Sequence, residues 1–153
     1  MGALAESPVP VPSVLCLCED VDVIGSVFFV MSYEDGPIYW DPTLPELNRD
    51  ERATLYRDEI RVLAALHSLD PATIGMADFG RPGSYFERQI KRWTDQYRAS
   101  ETTSIDAMES LMLWLSRHTP DDDGQSTLIH GDYRLDNLIM THDKVRIQAV
   151  IDW

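Results

Sequence analysis

The last quarter of the chain carries oxygen-bearing side chains at spacings suited to phosphoryl transfer. Asp132 closes a His-Gly-Asp tripeptide, Asn137 comes five positions later, and Asp152 ends the next apolar run. A carboxylate near a substrate hydroxyl can orient it and accept its proton as the bond to phosphorus forms, so Asp132 is the predicted base. Magnesium prefers hard oxygen donors, and one amide and one carboxylate oxygen suit it. Asn137 and Asp152 are therefore the predicted metal ligands.

Two neighbours of Asp132 have chemistry of their own. Arg134 is predicted to offset charge near the transferred phosphoryl group, because a guanidinium binds phosphate well. The alternative for Arg134 is a surface pair with Asp136. His130 could act as a second base, but its place directly before Gly131 favours a hydrogen bond that braces the loop. Arg134 and His130 join Asp132 as candidate catalytic residues.

Two other interpretations of this segment are open. The Asp of an isolated His-Gly-Asp tripeptide is commonly a turn residue that bonds its own backbone. A non-haem iron site is the second alternative, with His130 and Asp132 as an His-x-Asp pair and His142 as the third ligand of a facial triad. Both interpretations leave Asn137 and Asp152 unexplained, so phosphoryl transfer is the preferred hypothesis.

Short strands and turns must position these residues. Residues 127–129, 138–140 and 145–151 are apolar runs of strand length. The predicted loop 130–137 and the predicted turn 141–144 separate them. The sequence therefore predicts a small β-unit around the candidate site.

Upstream of the site, residues 14–18 and 27–33 predict an antiparallel hairpin. Residues 27–31 of the second strand are continuously apolar, which predicts burial on both of its faces. Cys16 and Cys18, the only cysteines, are predicted to be small buried side chains, since neighbouring positions on one strand are poorly placed for a disulfide. The proline-rich residues 5–13 are predicted to be extended and frayed.

Three helices are predicted between the hairpin and the last strands. The first begins at Asn48, which with Glu51 has the pattern of a capping box, and runs to about residue 68. The third begins at about Thr103. Tyr85 and Trp93 of the second helix are predicted to be core residues. The predicted apolar faces, in chain order, are Leu55, Tyr56, Ile60, Leu63 and Leu66; Phe86, Ile90, Trp93 and Tyr97; and Met108, Leu111, Met112 and Leu115.

Composition excludes some classes of function. The 153 residues are 44% hydrophobic and 25% charged, which is typical of a soluble globular protein. The net charge of -13 argues against binding nucleic acid through phosphates, which requires clustered Lys and Arg. No apolar run approaches the length of a bilayer span, and residues 1–13 lack the features of a secretory signal. We expect a cytoplasmic protein with no nucleic-acid or membrane partner.

Several motifs together carry a family resemblance. The pattern His130-Gly-Asp-x-x-x-x-Asn, followed by Ile-Asp-Trp at residues 151–153, resembles the aminoglycoside phosphotransferase and choline kinase-like superfamily. Further segments resemble the kinase-like domain of acyl-CoA dehydrogenase family members 10 and 11 and their stand-alone bacterial relatives. Those segments are residues 39–42, 63–68, 97–101 and 130–138. The similarity covers nearly everything from residue 14 to residue 153.

The resemblance implies an α+β, protein-kinase-like bilobal fold that is incomplete. Residues 1–13 would be an extended lead-in, and residues 14–36 a remnant of the N-lobe with its last two strands and the hinge. Residues 37–153 would form a truncated, mainly helical C-lobe with the catalytic loop and a small β-hairpin. The implied reaction moves the γ-phosphate of ATP, or of another nucleoside triphosphate, to a hydroxyl of a small molecule with Mg²⁺ as cofactor. The resemblance also implies that residues 29–36 are the hinge between the lobes, where the backbone of Met31, Ser32 and Tyr33 would face the adenine edge.

The sequence also departs from the family. A phosphate-covering loop and a strand lysine are expected ahead of the hinge, but the only lysines are Lys91 and Lys144, both downstream. We therefore expect an internal fragment that is inactive alone and that self-associates through exposed apolar surface. The alternative is a non-catalytic remnant or truncated reading frame that acts at most as a binding or interaction module.

Overall fold

The computed structural model of the protein describes residues 1–80, 83–121, 124 and 126–153. In chain order the elements are a 3-10 turn Gly2–Leu4, strands β1 (Val14–Cys18) and β2 (Phe28–Met31), helices α1 (Arg49–His67), α2 (Tyr85–Ser100) and α3 (Asp106–Arg117), a 3-10 turn Leu135–Asn137, and strands β3 (Leu138–Met140) and β4 (Ile147–Val150). The chain divides into two compact units, one of Met1–Ala77 with Thr127–Trp153 and one of Asp78–Ser126. None of the helices in the described ranges has the length and apolarity that crossing a bilayer requires.

The first hairpin forms as predicted, but its burial differs. β1 pairs antiparallel with β2, with Val14 opposite Met31. Phe29 is 50% exposed and Cys16 is exposed, so the predicted burial of β2 on both faces and of Cys16 is wrong. A strand buries its side chains only where another layer packs on the sheet, and apolar sequence alone does not supply that layer.

Helix α1 begins at the predicted capping box. Asn48 Oδ1 accepts hydrogen bonds from the N–H groups of Asp50 and Glu51 at 2.9 and 3.0 Å. Glu51 Oε2 accepts the N–H of Asn48 at 2.8 Å. These bonds satisfy donors that the first helical turn would otherwise leave unpaired. The prediction from residues 48 and 51 is confirmed.

The buried face of α1 is rotated from the predicted stripe. Leu55, Val62 and Leu66 are buried, whereas Ile60 is 62% exposed and Tyr56 is also exposed. The predicted positions for Tyr56 and Ile60 are therefore wrong. Helical spacing fits both stripes, and the contacts of α1 decide which one faces the core.

The unit Asp78–Ser126 contains α2 and α3. Arg98 on α2 forms ion pairs with Glu101 and with Glu109 of α3. Tyr85 and Trp93 are both exposed, Trp93 by 57%, so their prediction as core residues is wrong. A two-helix unit has little interior, and aromatic side chains at helical spacing can lie on its surface.

The proline-rich lead-in is part of the core of the larger unit. Leu4, Val9 and Pro12 are buried, and the N–H of Val150 donates to Pro10 O at 2.9 Å. The expectation that this segment frays is wrong. An extended proline-rich segment leaves its carbonyls free, and here one of them accepts a bond from β4.

The loop that follows β2 lies against β3. Tyr39, Leu44 and Leu47 of this loop are buried in the core. The N–H of Met140 donates to Pro37 O at 2.9 Å. At Gly36 the two backbones are so close that an added Cβ would lie 1.9 Å from Met140 O. Only glycine fits this close approach.

Replacing Gly36 should separate the loop from β3. We expect Gly36→Ala to lower the free energy of unfolding by roughly 3 kcal/mol, because backbone atoms must move to admit the Cβ. Gly80→Ala is the matched control, since a Cβ there meets nothing within 4 Å, and it should change stability by less than about 0.5 kcal/mol. Urea denaturation of both variants measures the difference, and equal stabilities would contradict the close approach.

Candidate active site

The β3–β4 hairpin brings the two predicted metal ligands to one end. Leu138 lies opposite Val150 in the antiparallel pair. Asn137 directly precedes β3, and its carbonyl accepts the N–H of Ile151 at 3.0 Å. Asp152 is the next residue after Ile151. Since directly opposite residues of an antiparallel pair are about 5 Å apart, Asn137 and Asp152 are close neighbours.

The side chain of Asn137 joins Asp132 to this end of the hairpin. Asn137 is only 7% exposed. Its Nδ2 donates to the carbonyl oxygen of Asp132 at 2.9 Å and to Asp132 Oδ2 at 3.2 Å. With Nδ2 committed to these acceptors, Oδ1 occupies the other edge of the amide, and no donor among the described residues bonds to it. That oxygen and the carboxylate of Asp152 are the kind of donors that fit a magnesium ion.

Arg134 bridges two carboxylates. Its Nε lies 3.2 Å from Asp132 Oδ2, and its terminal nitrogen lies 2.8 Å from Asp136 Oδ2. The pair with Asp136 that was the alternative is thus present together with a contact to the predicted base. The Arg134 side chain is more than half exposed, so both pairs are weak and can rearrange around a phosphate.

His130 connects the loop to the residue before Asp152. Its Nε2 lies 2.8 Å from the carbonyl oxygen of Ile151, and its Nδ1 accepts the N–H of Asp132 at 3.3 Å. The neutral tautomer with its hydrogen on Nε2 makes both bonds at once. The ring also lies edge-on to Trp153 at a centroid distance of 4.7 Å. Because both ring nitrogens have partners within the protein, the geometry favours the brace over a second base.

Asp152 adopts an unusual backbone conformation. Its φ of 63° lies in the left-handed region, which costs a non-glycine residue of order 1–3 kcal/mol. The next residue is fixed in place, because Trp153 Nε1 donates to Val150 O at 2.8 Å. The conformation is therefore held by bonds on the C-terminal side of Asp152 as well as by the brace from His130.

Helix α1 supports the site through residues that the sequence did not indicate. Tyr133 donates its hydroxyl hydrogen to Glu59 O at 2.9 Å, and burial raises the pKa of Tyr133. Asp58 Oδ2 accepts the N–H of Ile147, the first residue of β4, at 2.7 Å. These partners are 74 and 89 residues apart. No local pattern could have predicted them.

The predicted hinge has one main-chain group already in use. The N–H of Ser32 donates to Ser13 O at 2.8 Å, so it is not available to a nucleotide. Tyr33 is 88% exposed, and within the described ranges its N–H and carbonyl make no backbone hydrogen bond. Met31 ends β2. Of the main-chain groups predicted to face a nucleotide, the Ser32 N–H is thus already bonded within the protein, and both groups of Tyr33 are left without a backbone partner among the described residues.

The iron alternative lacks its third ligand. His142 Nε2 lies 3.5 Å from Asp35 Oδ2, and the described part of the chain contains no group of three or more His, Cys, Asp or Glu side chains arranged to hold a metal. The facial triad of His130, Asp132 and His142 is therefore not assembled.

Comparison with known proteins decides the family. The model of the phosphotransferase enzyme family (APH) matches residues 1–153. The chain belongs to this family. The chain is similar to a solved structure, that of a candidate aminoglycoside phosphotransferase from Ralstonia eutropha JMP134, with a TM-score of 0.91 and 49% sequence identity. The match covers 99% of this chain and 46% of that one. The predicted kinase-like fold is confirmed, as a partial form of it.

Longer relatives contain the same family segment. Acyl-CoA dehydrogenase family member 10 of Mus musculus is 48% identical over 153 residues, which are 100% of this chain and 14% of that protein. Acyl-CoA dehydrogenase family member 11 of Gallus gallus is 44% identical over 151 residues, covering 99% and 19%. The chain thus spans less than a fifth of the length of either relative. The resemblance to these proteins that the sequence indicated is confirmed.

The His130 brace can be tested by removing its nitrogens. We expect His130→Phe to lower the free energy of unfolding by about 1–3 kcal/mol, because the Asp132 N–H and Ile151 carbonyl lose their partner while an aromatic ring remains. His142→Phe is the control, since His142 is mostly exposed. Chemical denaturation measures both variants, and a loss no larger than that of the control would contradict the brace.

The side chain of Glu59 gives a prediction about pH. Burial raises the pKa of the Glu59 carboxyl, so the folded protein binds this proton more tightly than the unfolded chain does. At pH values above its folded pKa, the ionised Glu59 carboxylate therefore lowers the free energy of unfolding. At pH values below the ordinary pKa of glutamate, Glu59 is protonated in both states and this loss disappears. We expect Glu59→Gln to stabilise the protein by a few tenths of a kcal/mol at about pH 7 and to have no effect below about pH 4. Urea denaturation at both pH values is the measurement, with Glu19→Gln as an exposed control; a gain that persists at the lower pH would contradict the assignment.

Proposed function

We propose that this segment is the catalytic-loop part of an ATP- and Mg²⁺-dependent phosphotransferase that moves the γ-phosphate to a hydroxyl of a small molecule. The observation that carries the proposal is the joined set of oxygen donors. Asn137 is hydrogen-bonded to Asp132, and Asn137 and Asp152 leave the same end of the β3–β4 hairpin. A base and two metal-binding oxygens are among the parts that a protein supplies for phosphoryl transfer.

Each residue has a separate task in this proposal. A bound nucleotide with its metal supplies the transferable phosphoryl group and neutralises its charge. Asp132 orients the acceptor hydroxyl and takes its proton as the new oxygen–phosphorus bond forms and the bond from the γ-phosphorus to the leaving nucleoside diphosphate breaks. Asn137 holds Asp132 through Nδ2; it would hold the metal through Oδ1, and Asp152 would hold it through its carboxylate. Arg134 offsets charge on the transferred group.

The hinge would hold the other end of the nucleotide, which is ATP or another nucleoside triphosphate. The support is Tyr33, two residues after β2, which is 88% exposed and whose N–H and carbonyl make no backbone hydrogen bond within the described ranges. Adenine recognition needs one donor and one acceptor at such an edge, and main-chain groups provide both. The acidic net charge of -13 argues against a nucleic-acid acceptor.

A second candidate is a binding module without catalysis. It is favoured by the placement of the two lysines, since Lys91 on α2 pairs with Asp95 at 2.6 Å and Lys144 lies in the turn between β3 and β4. Neither can act as the phosphate-binding lysine of a strand ahead of the hinge. We propose that the 153-residue chain binds nucleotide but transfers phosphate slowly or not at all alone, because positioning and charge stabilisation make most of the rate.

Calorimetric titration with MgATP tests the site. We expect Asp152→Ala to weaken Mg²⁺-dependent ATP binding at least about tenfold, because the metal loses its carboxylate ligand. Asp132→Asn should leave binding within about threefold, but it should lower kcat by roughly 10²–10⁴ in any longer form that transfers phosphate to an alcohol. Asp121→Asn, an exposed carboxylate outside the site, is the control. ATP binding that does not depend on Mg²⁺ would contradict the metal site, and full transfer activity after Asp132→Asn would contradict Asp132 as the base.

A further inference from the structure

Glu34 links the hinge to the strand that leads to Asp152. Its Oε1 accepts the hydroxyl hydrogen of Ser32 at 2.6 Å, and its Oε2 accepts a hydrogen from Gln148 Nε2 at 3.0 Å. Ser32 Oγ in turn accepts the N–H of Ser13, which directly precedes β1, at 2.9 Å. Gln148 lies within β4, whose last residue, Val150, is two positions before Asp152. A chain of hydrogen bonds therefore runs from β1 through the hinge to β4.

The backbone beside Glu34 is fixed to the same hairpin. Gly36 packs directly on the carbonyl of Met140, and Pro37 O accepts the N–H of Met140 at 2.9 Å. The loop is thus attached to β3 by its backbone and to β4 by the side chain of Glu34. Because the loop contacts both β3 and β4, the hinge has little freedom to shift relative to the end of the β3–β4 hairpin that carries Asp152.

We propose that Glu34 is a positioning residue that holds the hinge at a fixed separation from Asp152. This inference rests on the proposed function, in which the hinge binds the base of a nucleotide and Asp152 binds the metal on its phosphates. A ligand that spans two sites gains affinity only if both sites are held at the separation that it spans. Glu34 contributes by fixing that separation, and it contacts neither the base nor the metal.

The chemistry of the partners explains why a carboxylate stands at this position. The Ser32 hydroxyl and the Gln148 amide both donate, so the residue between them must accept twice in two directions. A carboxylate does so with both oxygens, and its charge strengthens both bonds. Gln at position 34 could still accept from Gln148, but it would have to donate to Ser32 Oγ instead. Glu at position 148 would place two carboxylates against each other and break the link.

The test compares a ligand that uses one site with a ligand that spans both. Calorimetry measures the Kd of adenosine and the Kd of MgATP for each protein. The proteins are the original 153-residue chain, the single variants Glu34→Ala and Gln148→Glu, and an exchange variant that carries both Glu34→Gln and Gln148→Glu. We expect Glu34→Ala and Gln148→Glu to raise the Kd of MgATP about tenfold and to leave that of adenosine within about twofold. The exchange variant restores a donor facing an acceptor, so its Kd for MgATP should return to within about threefold of the original. Glu19→Ala, which removes an exposed charge from the turn after β1, is the control.

The outcomes distinguish failure of this inference from failure of the proposed function on which it rests. Equal weakening of adenosine and MgATP would show that Glu34 acts only on folding, and unchanged Kd values in folded variants would show that it has no role; either result overturns the inference alone. Failure of the original chain to bind MgATP would overturn the proposed nucleotide site and the inference together. Because the exchange variant keeps the hydrogen bond, it provides a folded comparison even where Glu34→Ala does not fold.

Discussion

Asn137 and Asp152 become neighbours because β3 pairs antiparallel with β4, and the rest of the site depends on that pairing. The hairpin is buried, with Leu138, Met140 and Val150 fully inside the core. Burial of such side chains supplies roughly 1.5–3 kcal/mol each, more than the net value of about 1 kcal/mol for a typical hydrogen bond. Apolar packing therefore holds the hairpin, and the polar groups at its end take their positions from it.

Polar bonds then fix what packing cannot, which is the direction of each side chain. His130 holds the loop to Ile151, Asn137 holds the carboxylate of Asp132, and Asp58 of α1 holds the first residue of β4. The first two bonds hold the loop and the end of the hairpin to each other, and the third joins the hairpin to α1. A site supported from several sides keeps its geometry before any ligand arrives, which is the condition for electrostatic stabilisation of a transition state.

The first hairpin has a different energetic balance. Its strands pair in regular fashion, yet much of their apolar surface remains exposed. The structure thus contains a well-packed part around the site and a two-stranded sheet with apolar faces open to solvent. Exposed apolar surface of this kind favours association, so self-association stays a prediction for the chain. The link from Glu34 to Gln148 ties this sheet, through the hinge, to the well-packed part.

Local patterns in the sequence predicted the local features correctly but only part of the burial: Leu55 and Leu66 of α1 are buried as predicted, and other positions are not. The capping box at Asn48 and the β1–β2 pair involve residues close together in the chain, and both form. The exposed positions of Ile60 and Trp93 were missed, because helical spacing does not say which face of a helix finds a partner. The burial of Val9 was missed because a proline-rich segment has no local structure to predict, although it can pack on a core that others build.

The sequence by itself determined the family and the candidate chemistry, since the oxygen donors of Asp132, Asn137 and Asp152 are set by residue type and their spacing matches that family. Tertiary structure alone decided what surrounds them. The bonds from Tyr133 to Glu59 and from Gln148 to Glu34 join residues 74 and 114 positions apart. Such bonds exist only after the apolar core has brought distant segments together, so no pattern of neighbouring residues encodes them.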